Sequence, residues 1–182
     1  ALYPKQVRVF NYHERRYVAP IEEVAALVAT LASRTDRLWP HEHWPRMRLD
    51  NGLSVGSSAG HGPVSYCIER IEVQTSADAE TTNNEAAAIR KLAFRFTKPN
   101  GFDGIHSFAV LPRGRTTVLI HDLRMQPRGW ARLTWPIFFR PLHDSLIEEA
   151  FDKATRELDL PLITPHRRST WVRILHWIAR AA

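Results

Sequence analysis

The chain has 182 residues, a single cysteine and a formal charge of +6. That length supports one domain with a core of its own, burying roughly 70% of the unfolded surface. The lone Cys67 excludes an intrachain disulfide. Four arginines and no acid in residues 160–182 leave only +2 for the rest, which excludes the broad basic face that nucleic-acid binding needs.

Val7 to Val18 reads as a first strand, dense in β-branched and aromatic residues. Pro20 suits the first turn of a helix, with Glu22 and Glu23 where its dipole favours negative charge. Ile21, Val24, Val28 and Leu31 then form one apolar stripe, in a helix expected to end near Ser33 or Arg34. Two Trp-Pro pairs follow, Trp39-Pro40 and Trp44-Pro45, and each proline biases its tryptophan away from helix. This predicts a loop with large side chains folded inward. Asn51-Gly52 marks a turn, and glycines 56, 60 and 62 mark a bent stretch before a strand over Val64–Val73.

Thr75 to Arg90 is polar, without alternation, and reads as an enlarged hairpin loop whose second half, from Asn84, favours helix. Leu92–Phe96 resumes as strand, and Pro99-Asn-Gly101 turns the chain. Ile105–Leu111 and Thr116–Leu123 form the clearest hairpin. With Arg113-Gly114 as its loop, Leu119 faces Phe108, Thr117 faces Val110 and His121 faces His106. Both histidines then lie on one face of the sheet with Phe108.

From Arg132 the pattern turns helical, with a firm helix predicted over Leu142–Leu158 after Pro136 and Pro141. Its stripe is Ile147, Ala150, Phe151, Ala154 and Leu158, with Glu148, Glu149, Asp152, Arg156 and Glu157 outward. Past Pro165 a second amphipathic segment sets Trp171, Ile174, Leu175 and Ile178 against Arg173, His176 and Arg180. The division expected is a domain over 1–159 and a basic amphipathic tail over 160–182.

Several of these segments carry a resemblance: the two Trp-Pro pairs, Gly60-His61-Gly62-Pro63-Val64-Ser65-Tyr66, Gly104-Ile105-His106-Ser107-Phe108-Ala109-Val110, and Arg140-Pro141-Leu142-His143-Asp144. Over residues 7–158 the chain resembles the polyketide cyclase/START-like superfamily, the helix-grip group that includes birch-pollen-type allergens. The resemblance implies an α+β fold in which seven antiparallel strands curve around a long C-terminal helix, with a hydrophobic ligand between them. Six strands can be placed from the sequence, and Met47–Leu49 is the candidate seventh. The 75–90 insertion and the tail depart from the group's pattern.

The candidate chemistry follows from the hairpin. If its His106–His121 face is concave, two imidazoles enter an apolar cavity where burial keeps them neutral and able to act as bases; facing outward, they are ordinary structure. Tyr66, in cavity or core, is the candidate donor to a ligand carbonyl. Trp39, Trp44, His61, Phe108, Leu119 and Trp135 are the candidate ligand contacts, although the glycines beside His61 also allow a plain bend. Trp130 joins the tryptophans that offer broad apolar surface. Asp122 falls on the face opposite His121 and is expected to be solvated. Cys67, within a strand pattern, reads as inert core. His41-Glu42-His43 lacks the same-face spacing of a helical zinc site, so neither metal nor cofactor is expected.

The leading functional expectation is a cyclase or aromatase that folds a polyketide-type substrate. The alternative is a non-catalytic lipid or hydrophobic-ligand carrier that meets membranes through residues 166–180. The tail equally suits docking on its own domain or on a second copy in a homodimer. No run approaches the roughly 20 apolar residues that span a bilayer. The N-terminus lacks a secretory pattern, so the expected location is the cytoplasm, peripheral at the membrane if the tail binds there.

Overall fold

A computed structural model describes residues 9–74 and 88–181. Among them, seven strands form one antiparallel sheet: β1 (Val9–Tyr17), β2 (Arg48–Leu49), β3 (Ser58–His61), β4 (Val64–Gln74), β5 (Ala88–Lys98), β6 (Phe102–Arg113) and β7 (Thr116–Pro127). Their spatial order is β1-β7-β6-β5-β4-β3-β2. The short helix α1 (Ile21–Ala29) follows β1 and packs on β5, β6 and β7. The sheet curves around a helix that begins as α2 (Ala131–Thr134), passes through a π-helical turn (Trp135–Phe139) and continues as α3 (Arg140–Glu157). A last helix, α4 (Thr170–Ala181), packs against α3. This is the helix-grip architecture.

Arg48–Leu49 is the seventh strand, and the glycine-rich stretch read as a bend contains a strand, β3, that pairs with both β2 and β4. A Cβ on Gly60 would overlap the Val64 carbonyl region, 2.7 Å away, so this glycine permits the tight β3–β4 approach. The expectation of helix after Asn84 falls mostly outside the described residues; where the chain is described again, from Ala88, it is strand.

The β6–β7 loop is Gly114-Arg115 rather than Arg113-Gly114, since Arg113 pairs with Thr116. Gly114 takes φ +62°, which a two-residue hairpin turn demands of a glycine at its first position. Partners are therefore Phe108 with His121 and Val110 with Leu119. The slip is even, so both histidines keep the same face.

Gly104 is the third residue of β6, opposite Met125. A Cβ there would overlap the Arg124 carbonyl and the Met125 side chain, both fixed by the sheet. Gly104→Ala should cost more than about 2 kcal/mol in urea unfolding, and a cost near zero would show that β7 can yield.

A polar seam grips the helix. Alternate residues of β1 point inward, and each meets α3: Asn11 Nδ2 donates to Asp144 (2.7 Å), His13 Nδ1 bonds Glu148 (2.7 Å), Arg15 reaches Asp152 and Glu148, and the Tyr17 hydroxyl donates to the Phe151 carbonyl (3.1 Å). Two strand residues advance about 6.6 Å and four helix residues about 6 Å, so the 11-13-15 and 144-148-152 rows stay matched. Asp152, expected outside, is therefore buried. Glu148 is half-buried beside it, and Glu149 is half-buried on the tail side of the helix.

The helix starts eleven residues earlier than Leu142 because the prolines are accommodated rather than excluded. Pro136 and Pro141 lie where the helix changes type, at the start of the π turn and of α3, so the regular i→i−4 ladder is already interrupted there. The Ile137 carbonyl, whose i+4 residue is Pro141, instead accepts a hydrogen bond from the Trp171 indole at 2.8 Å.

Candidate functional site

Between the sheet and α3 lies a cavity of about 370 Å³, within the range of small-molecule sites. Its walls are mostly apolar and aromatic, with Trp39, Trp44, Phe96, Phe102, Phe108 and Trp135 among them. Lining residues that also reach solvent, namely Glu42, His43, Pro45, Gly62 and Pro63, place its mouth between the 42–45 segment and the β3–β4 turn. Phe139 of the π turn and His176 of α4 complete the lining.

The concave strand faces carry the polar groups. Tyr66 (β4), Phe94 and Phe96 (β5), His106 and Phe108 (β6), and His121 (β7) follow one another across the sheet. His13 on β1 pairs across from His121. His106 Nδ1 lies 3.3 Å from His121 Nε2. The His106 ring stacks on Phe94 at 5.0 Å and meets Tyr66 edge-on at 4.9 Å. His143, from α3, stands 4.9 Å from His121 and 6.0 Å from His13, measured between ring centres. Four imidazoles thus run from the cavity to the sheet edge at β1.

Burial sets their protonation. It holds His106 and His121 well below the ordinary imidazole value, and the other histidines nearby push the same way. It brings His61 down to about 3 and lowers His143, against a partial pull from Asp144. The Tyr66 phenol is raised by burial. His13 goes the other way: burial opposes its charge, but hydrogen bonds and charges from Asp144 and Glu148 outweigh it and raise it to about 9. A row of neutral imidazoles therefore ends on one imidazolium held by carboxylates.

Within the described residues, seven buried side-chain nitrogen and oxygen atoms make no hydrogen bond. Five of them belong to residues that line this cavity: Tyr66 Oη, His106 Nε2, His121 Nδ1 and both nitrogens of His143. Leaving a buried polar atom unpaired costs about 1–3 kcal/mol, so their convergence marks a place built for a polar group on an otherwise apolar guest.

Of the residues singled out in the sequence, Tyr66, His106, His121, Trp39, Trp44, His61, Phe108 and Trp135 all line the cavity. Leu119 does not. It is fully buried at the end of the sheet that α1 covers, in the core cluster with Val24 and Val28. Trp130 is 81% exposed. Asp122 accepts hydrogen bonds from Ser107 and Arg124 on the opposite sheet face, and Cys67 is half-buried on that face rather than in the core. His41, Glu42 and His43 lie at the cavity rim, where Lys153 donates to Glu42 at 2.8 Å and to the Trp39 carbonyl at 2.9 Å.

His143 is the member that sequence reasoning left without a role. Its signal was present: it precedes the apolar stripe of α3 by one turn, at Leu142–Ile147. His13, His143 and Asp144 also bring possible ligand atoms within 4.8 Å of one another. His13 is already committed to Glu148, Asp144 and Asn11, so the set fits an ion-pair network better than a cation site.

The tail is docked, and its inward face differs from the one expected. Val172, Leu175 and His176 are buried, while Trp171, Ile174 and Ile178 are exposed. The clamp explains the rotation. Trp44 Nε1 donates to Glu149 at 3.0 Å, Arg168 donates to Glu149 at 2.7 Å, and His176 Nε2 bonds the His43 carbonyl at 2.7 Å. The Arg168 guanidinium also lies over the Trp44 ring at 5.1 Å.

No known protein family matches the sequence, and no curated protein does. Solved structures match its shape. CalU16 from Micromonospora echinospora is 13% identical, with a TM-score of 0.52 over 94% of this chain and 86% of its own. A protein from Thermobifida fusca is 16% identical, with a TM-score of 0.56 over 88% and 99%. Norcoclaurine synthase from Thalictrum flavum, solved as a point mutant with a transition-state analogue, is 13% identical, with a TM-score of 0.50 over 79% and 94%. The architecture they share is the helix-grip fold. This chain has that fold, with a ligand-sized cavity in the grip.

Proposed function

We propose that the cavity takes a hydrophobic ketone-bearing molecule and works as a cyclase or aromatase on a polyketide-type chain. The observation that carries this reading is the convergence of Tyr66, His106, His121 and His143 with unpaired polar atoms inside apolar walls. A neutral imidazole of His106 or His121 removes a proton from a carbon between two carbonyls. The resulting enolate carbon attacks a distant carbonyl carbon of the same chain, forming the C–C bond. The new alkoxide, held by the Tyr66 hydroxyl, takes a proton back from the imidazolium, and loss of water followed by enolisation of the remaining ring ketones gives the aromatic ring. Confinement brings the two carbons together, and the hydroxyl steadies the oxyanion.

The test uses a linear poly-β-ketone thioester as probe. The protein should accelerate its cyclisation, and at least one of His121→Phe and His106→Phe should slow turnover ~100-fold or more while probe binding changes little. Unaltered turnover in both variants would remove the acid–base assignment. Native mass spectrometry of the purified protein, with a co-purified apolar compound expected, checks the binding half separately. The alternative reading, a non-catalytic carrier, is supported by the exposed face of the tail described next.

A further inference from the structure

Docking α4 through Val172, Leu175 and His176 leaves its other side uncovered by the described residues. Ile174 (45%), Trp177 (70%) and Ile178 (50%) stand exposed there. Leu133, Ile137 and Phe138, on α2 and the π turn, are exposed as well. Trp171 joins the two groups: its ring lies 6.3 Å from Phe138, and its indole N–H bonds the Ile137 carbonyl. Single exposed apolar residues are ordinary, but a continuous set on two elements is not.

Charge selects the occupant. Arg132 of α2 and Arg173 of α4 are exposed, and residues 128–143 and 160–182 contain no acid. A symmetric pairing of two copies through the face would bring these arginines together around one apolar centre. A bilayer carrying anionic headgroups answers both features, with tryptophan and isoleucine entering the acyl boundary and arginine meeting phosphate. No described helix is long and apolar enough to cross a membrane, so the face would lie in the interface plane.

We infer that the α2–π-turn–α4 face is a docking surface for an anionic membrane. The surface adjoins the ligand site: His176 lines the cavity beside exposed Trp177, and Phe139 lines it beside exposed Phe138. An oily guest passing between bilayer and cavity therefore has a short route. This inference is independent of whether the cavity catalyses a reaction.

The experiment is co-sedimentation of the full chain with phosphatidylcholine vesicles, with and without ~25% phosphatidylglycerol. Binding is expected only with the anionic lipid and should weaken as salt rises. The paired substitution Ile174→Ser with Trp177→Ala leaves the charge unchanged and should weaken binding ~10-fold or more; Arg173→Glu should weaken it comparably. Both sets alter exposed side chains, and an unchanged urea midpoint shows that the fold is kept. No binding to anionic vesicles, or binding indifferent to Ile174→Ser with Trp177→Ala, overturns the proposal. A solution dimer that the same pair dissociates would overturn it too, assigning the face to a second copy.

Discussion

Lowering the pH from 7 towards 5 should unfold this protein cooperatively. His61, His106, His121 and His143 all have folded values below the ordinary 6.5, with His61 at about 3. The unfolded chain takes up protons at 6.5 that the folded chain refuses. Stability is therefore complete above 6.5 and is lost as pH falls towards the folded values. Where the folded chain refuses a proton that the unfolded chain binds, each such histidine tilts stability by at most about 1.4 kcal/mol per pH unit, and all four tilt it the same way. Against a total of about 5–15 kcal/mol, several such tilts acting together place the transition on the acid side of 6.5.

His13 acts with the opposite sign. Raised to about 9, it contributes stability that is full below 6.5 and lost as pH rises through 9, on the order of 3 kcal/mol. The two effects predict a narrow optimum near neutrality. Urea unfolding at a series of pH values checks it, and the paired substitution His106→Phe with His121→Phe should lower the acid midpoint by about half a unit or more. Equal stability at pH 7 and pH 5 would show that these imidazoles are not held neutral.

Asp152→Ala should be the most damaging single change in the polar seam. Asp152 is 4% exposed, accepts from Arg15, and also accepts the His166 backbone N–H at 2.7 Å. It thus ties β1 and the start of the tail to α3 at one point. Removing it leaves a partly buried guanidinium and a backbone donor short of a partner, at a cost of about 3–5 kcal/mol. Asp152→Asn keeps an acceptor oxygen for the backbone donor and should cost less. Arg37→Ala, breaking an exposed pair with Glu157, supplies the contrast at under about 1 kcal/mol. Equal urea midpoints for Asp152→Ala and Arg37→Ala would mean that the seam does not grip.

The strands of the concave wall were legible because a strand's faces alternate strictly. Parity put His106, Phe108 and His121 on one face and survived an even slip in the β6–β7 turn; that this face is the concave one, and that Tyr66 shares it, came from the fold. The seam was hidden for the complementary reason. Asp152 and Glu148 are charged at helix positions that hydropathy assigns to solvent, and only the approach of Arg15 and His13 from a strand 130 residues earlier brings them inside. His143 was overlooked in the same way, since its partners lie on three different strands or helices.

The order of elements, the long closing helix and the pairing parity of the histidines came from the chain itself, since period-two and period-3.6 patterns are properties of neighbouring residues. Which histidines converge, which carboxylates are buried and which side of the tail faces inward were decided only in three dimensions. Each depends on contacts between segments far apart in sequence: β1 against α3, and Trp44 against Arg168 and His176. Local pattern carries no information about a partner that folding has yet to bring near.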